Sequence, residues 1–119
     1  FSVFVENNRK AVDCIQSNIT FTKFDSQCKV FSMDVISAMR SMEGKYQFDY
    51  IFMDPPYKMG MEKDVLTYLA TSGLANKDTT IITEAVLDTE FDYLDELGLE
   101  TVRKKEYKTN LHMFIKKKN

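Results

Sequence analysis

The chain of 119 residues has no tryptophan, one histidine, two cysteines, two prolines and four glycines. Each shortage excludes something. Cys14 and Cys28 are too few for a disulfide framework. With a single histidine, His112, no Cys/His cluster has the spacing of a metal site, so no metal is expected. The two prolines are adjacent, Pro55 and Pro56, and no Pro/Gly-rich linker divides the chain, so residues 1–119 read as a single domain. No apolar run approaches the roughly 18–20 residues of a membrane span. No secretory leader is visible, so a cytoplasmic protein with no membrane partner is expected. Neither charge sign prevails, with 16 Lys+Arg against 18 Asp+Glu, so bulk charge does not mark a nucleic-acid binder. At 44% apolar and 29% charged residues the chain is too apolar to be disordered. It opens on Phe1 rather than Met, and Phe-Ser-Val-Phe-Val already reads as a strand from within a sheet. A fragment of a longer protein is expected.

The charge is unevenly spread. Residues 1–102 carry nine basic and seventeen acidic side chains, and residues 103–119 carry seven basic and one acidic. A basic end on an acidic body can hold a phosphate backbone through its local field. Arg103, Lys104, Lys105 and Lys108 are therefore candidate RNA contacts, whereas Lys116–Lys118 read equally well as a solubilising tail.

Strands and helices alternate along the chain. Phe1–Val5, Cys28–Met33, Asp49–Met53, Thr79–Ala85, Thr101–Tyr107 and Leu111–Lys116 have strand composition or alternation. Val12, Ile15 and Ile19 recur at helical spacing, as do Val35, Ile36, Met39 and Met42, and Val65, Leu66 and Leu69. Asn7 or Asn8 can cap the first helix, and Asp34 the second. A short fourth helix is predicted over Thr89–Leu97, between a capping Thr and Gly98. The order β-α-β-α-β-α-β-α-β-β implies an open, mostly parallel α/β sheet with helices on both faces and a C-terminal antiparallel hairpin.

Open α/β sheets bind ligands beyond the carboxyl ends of their parallel strands. Glu6, Asp34 and Asp54 each follow such a strand. Asp54-Pro55-Pro56-Tyr57 carries the most chemistry. An exocyclic amine on a base is a poor nucleophile, because its lone pair is delocalised into the ring. A site that alkylates it must hold the nitrogen with acceptors. Asp54 and the Pro55 carbonyl are acceptors, the paired prolines stiffen the turn, and Tyr57 offers a face for a flipped base. The same residues also make good turn chemistry.

Phe52-Met53-Asp54-Pro55-Pro56-Tyr57 resembles motif IV of the class I S-adenosylmethionine-dependent amino-methyltransferases. Together with Val3–Asn8, Val30–Val35 and Phe48–Tyr57, it resembles the RsmD-like family, which methylates guanine N2 in bacterial small-subunit (16S) ribosomal RNA. The closing Lys105–Leu111 stretch resembles that family's final hairpin, although Lys108 stands where a Gly is usual. The resemblance implies a Rossmann-like class I methyltransferase fold, S-adenosyl-L-methionine as cofactor, and ribosomal RNA or a small-subunit assembly particle as partner. Carried over, Glu6 would bind the ribose hydroxyls, with Asn7 beside it. Asp34 would take the adenine amino group and Val35 would face the ring, while Asp54, Pro55, Pro56 and Tyr57 would hold and stack the target base. The family's glycine-rich loop, first strand and first helix have no counterpart in these residues. The strands flanking that place would each expose an edge, to be filled by an upstream segment or by another copy. Two alternatives share some of these features: an adenine-N6 DNA methyltransferase, and a non-catalytic α/β module binding RNA or protein. His112 is assigned no chemistry.

Overall fold

The computed structural model describes residues 1–54 and 61–118. The chain divides into two compact units, Phe1–Met42 and Glu43–Asn119.

The first unit runs β1 (Ser2–Glu6), α1 (Arg9–Thr22), a 3₁₀ turn (Asp25–Gln27), β2 (Cys28–Ser32) and α2 (Val35–Met42). Of the two candidate caps it is Asn8 that starts α1, its Oδ1 accepting the Ala11 N–H at 3.1 Å. At the other end Lys23 takes a left-handed φ of 62°. Its N–H reaches Thr20 O at 3.2 Å, and the Phe24 N–H reaches Ile19 O at 3.1 Å. These bonds satisfy carbonyls that the helix leaves open. Asp34 caps α2, its Oδ1 accepting the Ser37 N–H at 3.1 Å. β1 and β2 pair in parallel from Ser2↔Cys28 to Glu6↔Ser32, so their carboxyl ends coincide. Val12, Ile19, Ala38, Met39 and Met42 are buried, all on the predicted apolar faces or beside them.

The second unit comprises β3 (Phe48–Met53), α3 (Met61–Thr71), β4 (Ala75–Val86), β5 (Leu99–Glu106) and β6 (Asn110–Lys117). Its sheet has the order β3-β4-β6-β5. β3 and β4 are parallel, while β6 pairs antiparallel with both β4 and β5. The predicted hairpin is thus present, and it makes the sheet mixed. Alternate residues of β4 and β6 are buried, namely Ile81, Thr83 and Ala85 with Leu111, Met113 and Ile115. Val65, Leu66 and Leu69 on α3, together with Leu74, Leu94 and Leu99, are also buried in this unit.

Two local features depart from expectation. β4 starts at Ala75, four residues before the predicted Thr79. The Asn76 side chain accepts the N–H groups of Asp78 (2.7 Å) and Thr79 (3.1 Å), making an Asx turn within the strand. Thr79 Oγ1 then donates to Phe48 O, at a shift in the β3–β4 register. The predicted helix Thr89–Leu97 does not form. The segment is a series of turns, with Leu97 N–H to Leu94 O at 3.0 Å and Gly98 N–H to Asp95 O at 3.1 Å. A nine-residue helix is marginal by itself, and Asp95 and Glu96 at its C-terminal end would oppose the helix dipole. Buried Leu94 and the left-handed Gly98, at φ 75°, fix the turns instead.

Glu43 ties α3 to the loop that follows it. Its carboxylate accepts Tyr68 Oη at 2.7 Å, Ser72 Oγ at 2.8 Å and the Gly73 N–H at 2.8 Å. Hydrogen bonds from Tyr68 and Ser72, then Gly73, hold the Glu43 carboxyl below its ordinary pKa.

Candidate active site

In the first unit, Glu6 ends β1 and its Oε1 accepts the Asn8 N–H at 3.2 Å. Asn7 is exposed in the connection to α1. Asp34 and half-buried Val35 stand two and three residues past Ser32, the partner of Glu6. The pairing therefore brings Glu6 and Asp34 to one end of the two-stranded sheet. Hydrogen bonds from the side chain and backbone of Ser37 hold the Asp34 carboxyl below its ordinary value. A carboxylate offers about four acceptor positions, so both acids keep capacity for donors beyond their capping bonds. An acceptor-only pair at the carboxyl end of parallel strands fits the hydroxyl and amino donors of a nucleoside.

In the second unit, Asp54 is exposed and directly follows parallel β3. Pro55, Pro56 and Tyr57 lie outside the described residues. β3 reads as an interior strand, yet among the described residues it pairs on one side only, and Tyr50 and Phe52 are 74% and 59% exposed. Among the described residues β1 likewise pairs with β2 alone. These are the two strands expected to show open edges.

The basic residues separate by strand alternation. Arg103 and Lys105 share a face of β5, with the Arg103 guanidinium 5.6 Å from the Phe114 ring centre. Lys104 points the other way and pairs with Glu106 at 3.2 Å. Lys108 is exposed in the turn before β6.

His112, given no role from sequence, has neighbours. Its Nε2 is 3.9 Å from Glu84 Oε2, and its ring stands edge-on to Tyr107 at 5.0 Å and to Phe52 at 6.1 Å. The Asn110 amide donates to Glu84 Oε1. The one available signal was that Glu84 lies near the carboxyl end of a strand beside β3. No group of metal-ligating side chains occurs among the described residues, and no helix there is long and apolar enough to cross a membrane.

This arrangement of strands, helices and closing hairpin is that of the Rossmann-like class I methyltransferases. A conserved hypothetical protein of Streptococcus pyogenes superposes at a TM-score of 0.85, with 25% identity, over 98% of this chain and 71% of that one. A Haemophilus influenzae protein described as a "putative methylase" superposes at 0.83 with 14% identity, over 98% and 72%. In sequence, the chain is 28% identical over 107 residues to the Bacillus subtilis (strain 168) protein named "Putative rRNA methyltransferase YlbH", covering 88% of this chain and 57% of that protein. The chain thus spans little more than half the length of this relative. The family described as conserved hypothetical protein 95 matches residues 1–116. The chain belongs to that family, which is the RsmD family its motifs resemble.

Proposed function

We propose that the protein is a cytoplasmic, S-adenosyl-L-methionine-dependent RNA methyltransferase acting on the exocyclic N2 amine of a guanine in small-subunit ribosomal RNA. The observation that carries this reading is Asp54, an exposed carboxylate directly after parallel β3 at the head of the Asp-Pro-Pro-Tyr segment. Family membership and a relative named for rRNA methylation support it. The family match runs through both units, which supports reading residues 1–119 as one methyltransferase domain.

Glu6 and Asp34, with Asn7 and Val35 beside them, hold the adenosine part of the cofactor through carboxylate acceptors. When bound, the cofactor supplies an electrophilic methyl group on a sulfonium. Asp54 would accept a hydrogen bond from the target amine and so orient its lone pair for attack. Once methylated, the amine would have one proton to lose, which the Asp54 carboxylate or water would accept. The family resemblance assigns Pro55, Pro56 and Tyr57 to holding and stacking the base. Arg103, Lys105 and Lys108 contact phosphate; Lys104, paired with Glu106, contributes less.

The test uses the full-length protein, labelled S-adenosylmethionine and small-subunit rRNA or an assembly particle, with the product nucleoside identified by mass spectrometry. N2-methylguanine is expected, and Asp54→Ala is expected to lower the rate by about 10²–10³-fold. N6-methyladenine as product would favour the adenine enzyme, and an Asp54→Ala protein at wild-type rate would remove the catalytic reading. Replacing Arg103, Lys105 and Lys108 with Gln should weaken RNA binding and flatten its log–log salt slope by about 0.7 per lost contact.

A further inference from the structure

Three strands of the second unit's sheet carry one polar row, and Asp54 directly follows the fourth strand, β3, at the same end. Met53, the last residue of β3, pairs with Thr83, so Asp54 and Glu84 are the next residues along their two chain segments. Glu84 is opposite His112 on β6, and His112 is opposite Lys105 on β5. The row therefore reads carboxylate, imidazole, ammonium, with the Asp54 carboxylate following β3 on the Glu84 side. The preceding row on the same face is Phe52, Ile82, Phe114 and Arg103, aromatic and aliphatic until its last member. The polar row lies at the carboxyl end of β3, the end where open α/β sheets bind their ligands.

Glu84 is held in place. Asn110 donates to its Oε1, and His112 Nε2 stands 3.9 Å from its Oε2. Tyr107 and Phe52 set the His112 ring edge-on. The Glu84 side chain remains 21% exposed. A carboxylate with one amide donor and a long imidazole contact still has acceptor positions to offer, and it has no donor at all.

We propose that Glu84 is a specificity-determining residue of the base site. It accepts hydrogen bonds from the adjacent N1–H and N2–H donors of a guanine, while Asp54 takes the other N2 hydrogen. This rests on the reading of Asp54 as the base-holding carboxylate. A guanine edge presents two neighbouring donors. An adenine edge presents one donor, on N6, beside the bare lone pair of N1. Against Glu84 that lone pair faces carboxylate oxygen with no hydrogen between them, and a site built to hydrogen-bond one edge rejects the other. Glu84 thereby separates the two bases that an Asp-Pro-Pro-Tyr segment alone would serve alike.

The test uses the full-length protein and two RNAs that differ only by G or A at the nucleotide the wild type methylates. Glu84→Gln keeps the acceptor for Asn110 and places an N–H donor where adenine N1 would lie. The kcat/KM ratio of G over A is expected to fall by about 30-fold or more, with Tm and S-adenosylmethionine affinity unchanged. A role confined to stability would lower both rates together and leave the ratio alone. Glu84→Asp, still acceptor-only, is expected to lose rate yet keep the preference for G. If it loses that preference, or if Glu84→Gln keeps the wild-type ratio, the assignment of Glu84 is overturned. An Asp54→Ala control separates the two readings. Loss of transfer there with an unchanged Glu84→Gln ratio removes only the Glu84 proposal. A wild type that transfers no methyl to guanine removes both.

Discussion

The two faces of the four-stranded sheet are built from the same strands by alternate residues, and they do different work. One face presents Ile81, Thr83, Ala85, Leu111, Met113 and Ile115, all buried. The other presents Ile82, Glu84, His112 and Phe114, half-exposed, with Phe52 open to solvent. A strand has a side-chain period of two, so a packing set and a chemical set can share one backbone without competing for positions. The cost is that a one-residue slip would exchange the two sets, so the buried face is what secures the register of the polar one.

Measurements on each face can break or sharpen this contrast. The largest effect is expected from Ile115→Ala, since Ile115 is fully buried. It should lose about 2–5 kcal/mol in chemical denaturation, and a loss below about 1 kcal/mol would show that this face is not the packing one. Thr83→Val should act in the opposite direction. The Thr83 hydroxyl is buried with no hydrogen-bond partner among the described residues, so replacing it with a methyl of the same shape should stabilise by about 1 kcal/mol. A Thr83→Val protein that melts lower would mean the hydroxyl has a use.

A smaller effect is expected from Glu43, whose carboxylate binds Tyr68, Ser72 and Gly73 at the end of α3. Its carboxyl is held below the ordinary range in the folded chain, so folding favours the ionised form. That contribution is complete above the unfolded-state pKa and is lost as the pH falls through the folded-state one. Between about pH 5 and pH 3 the wild type should lose stability more steeply than Glu43→Gln, by up to one proton in the slope. Equal slopes would show that the contacts with Tyr68, Ser72 and Gly73 do not persist in solution. The smallest effect is expected from Phe52→Ala on the open face. With the side chain largely in solvent, stability should change by about 0.5 kcal/mol or less. A larger loss would mean that this face is covered in solution.

Much of the fold could be read from local pattern. The apolar spacings of α1, α2 and α3, the alternation of the strands, the capping Asp34 and the closing hairpin are short-range properties, and each forms close to where it was expected. The segment 89–97 failed the same reasoning because its acids oppose the dipole and a tertiary anchor, Leu94, favoured turns. The early start of β4 was illegible for a similar reason: the bond from Thr79 to Phe48 spans 31 residues.

By itself the sequence determined the order of elements, the buried stripes, the basic C-terminal stretch and the placing of Glu6, Asp34 and Asp54 after strands, because each follows from neighbours a few residues away. Only the tertiary structure decided that Glu84 faces His112, that Asn110 grips Glu84, and that Lys104 leaves the face shared by Arg103 and Lys105. Those facts depend on strand register and on which face each residue takes, and register is set by the packing of the whole sheet.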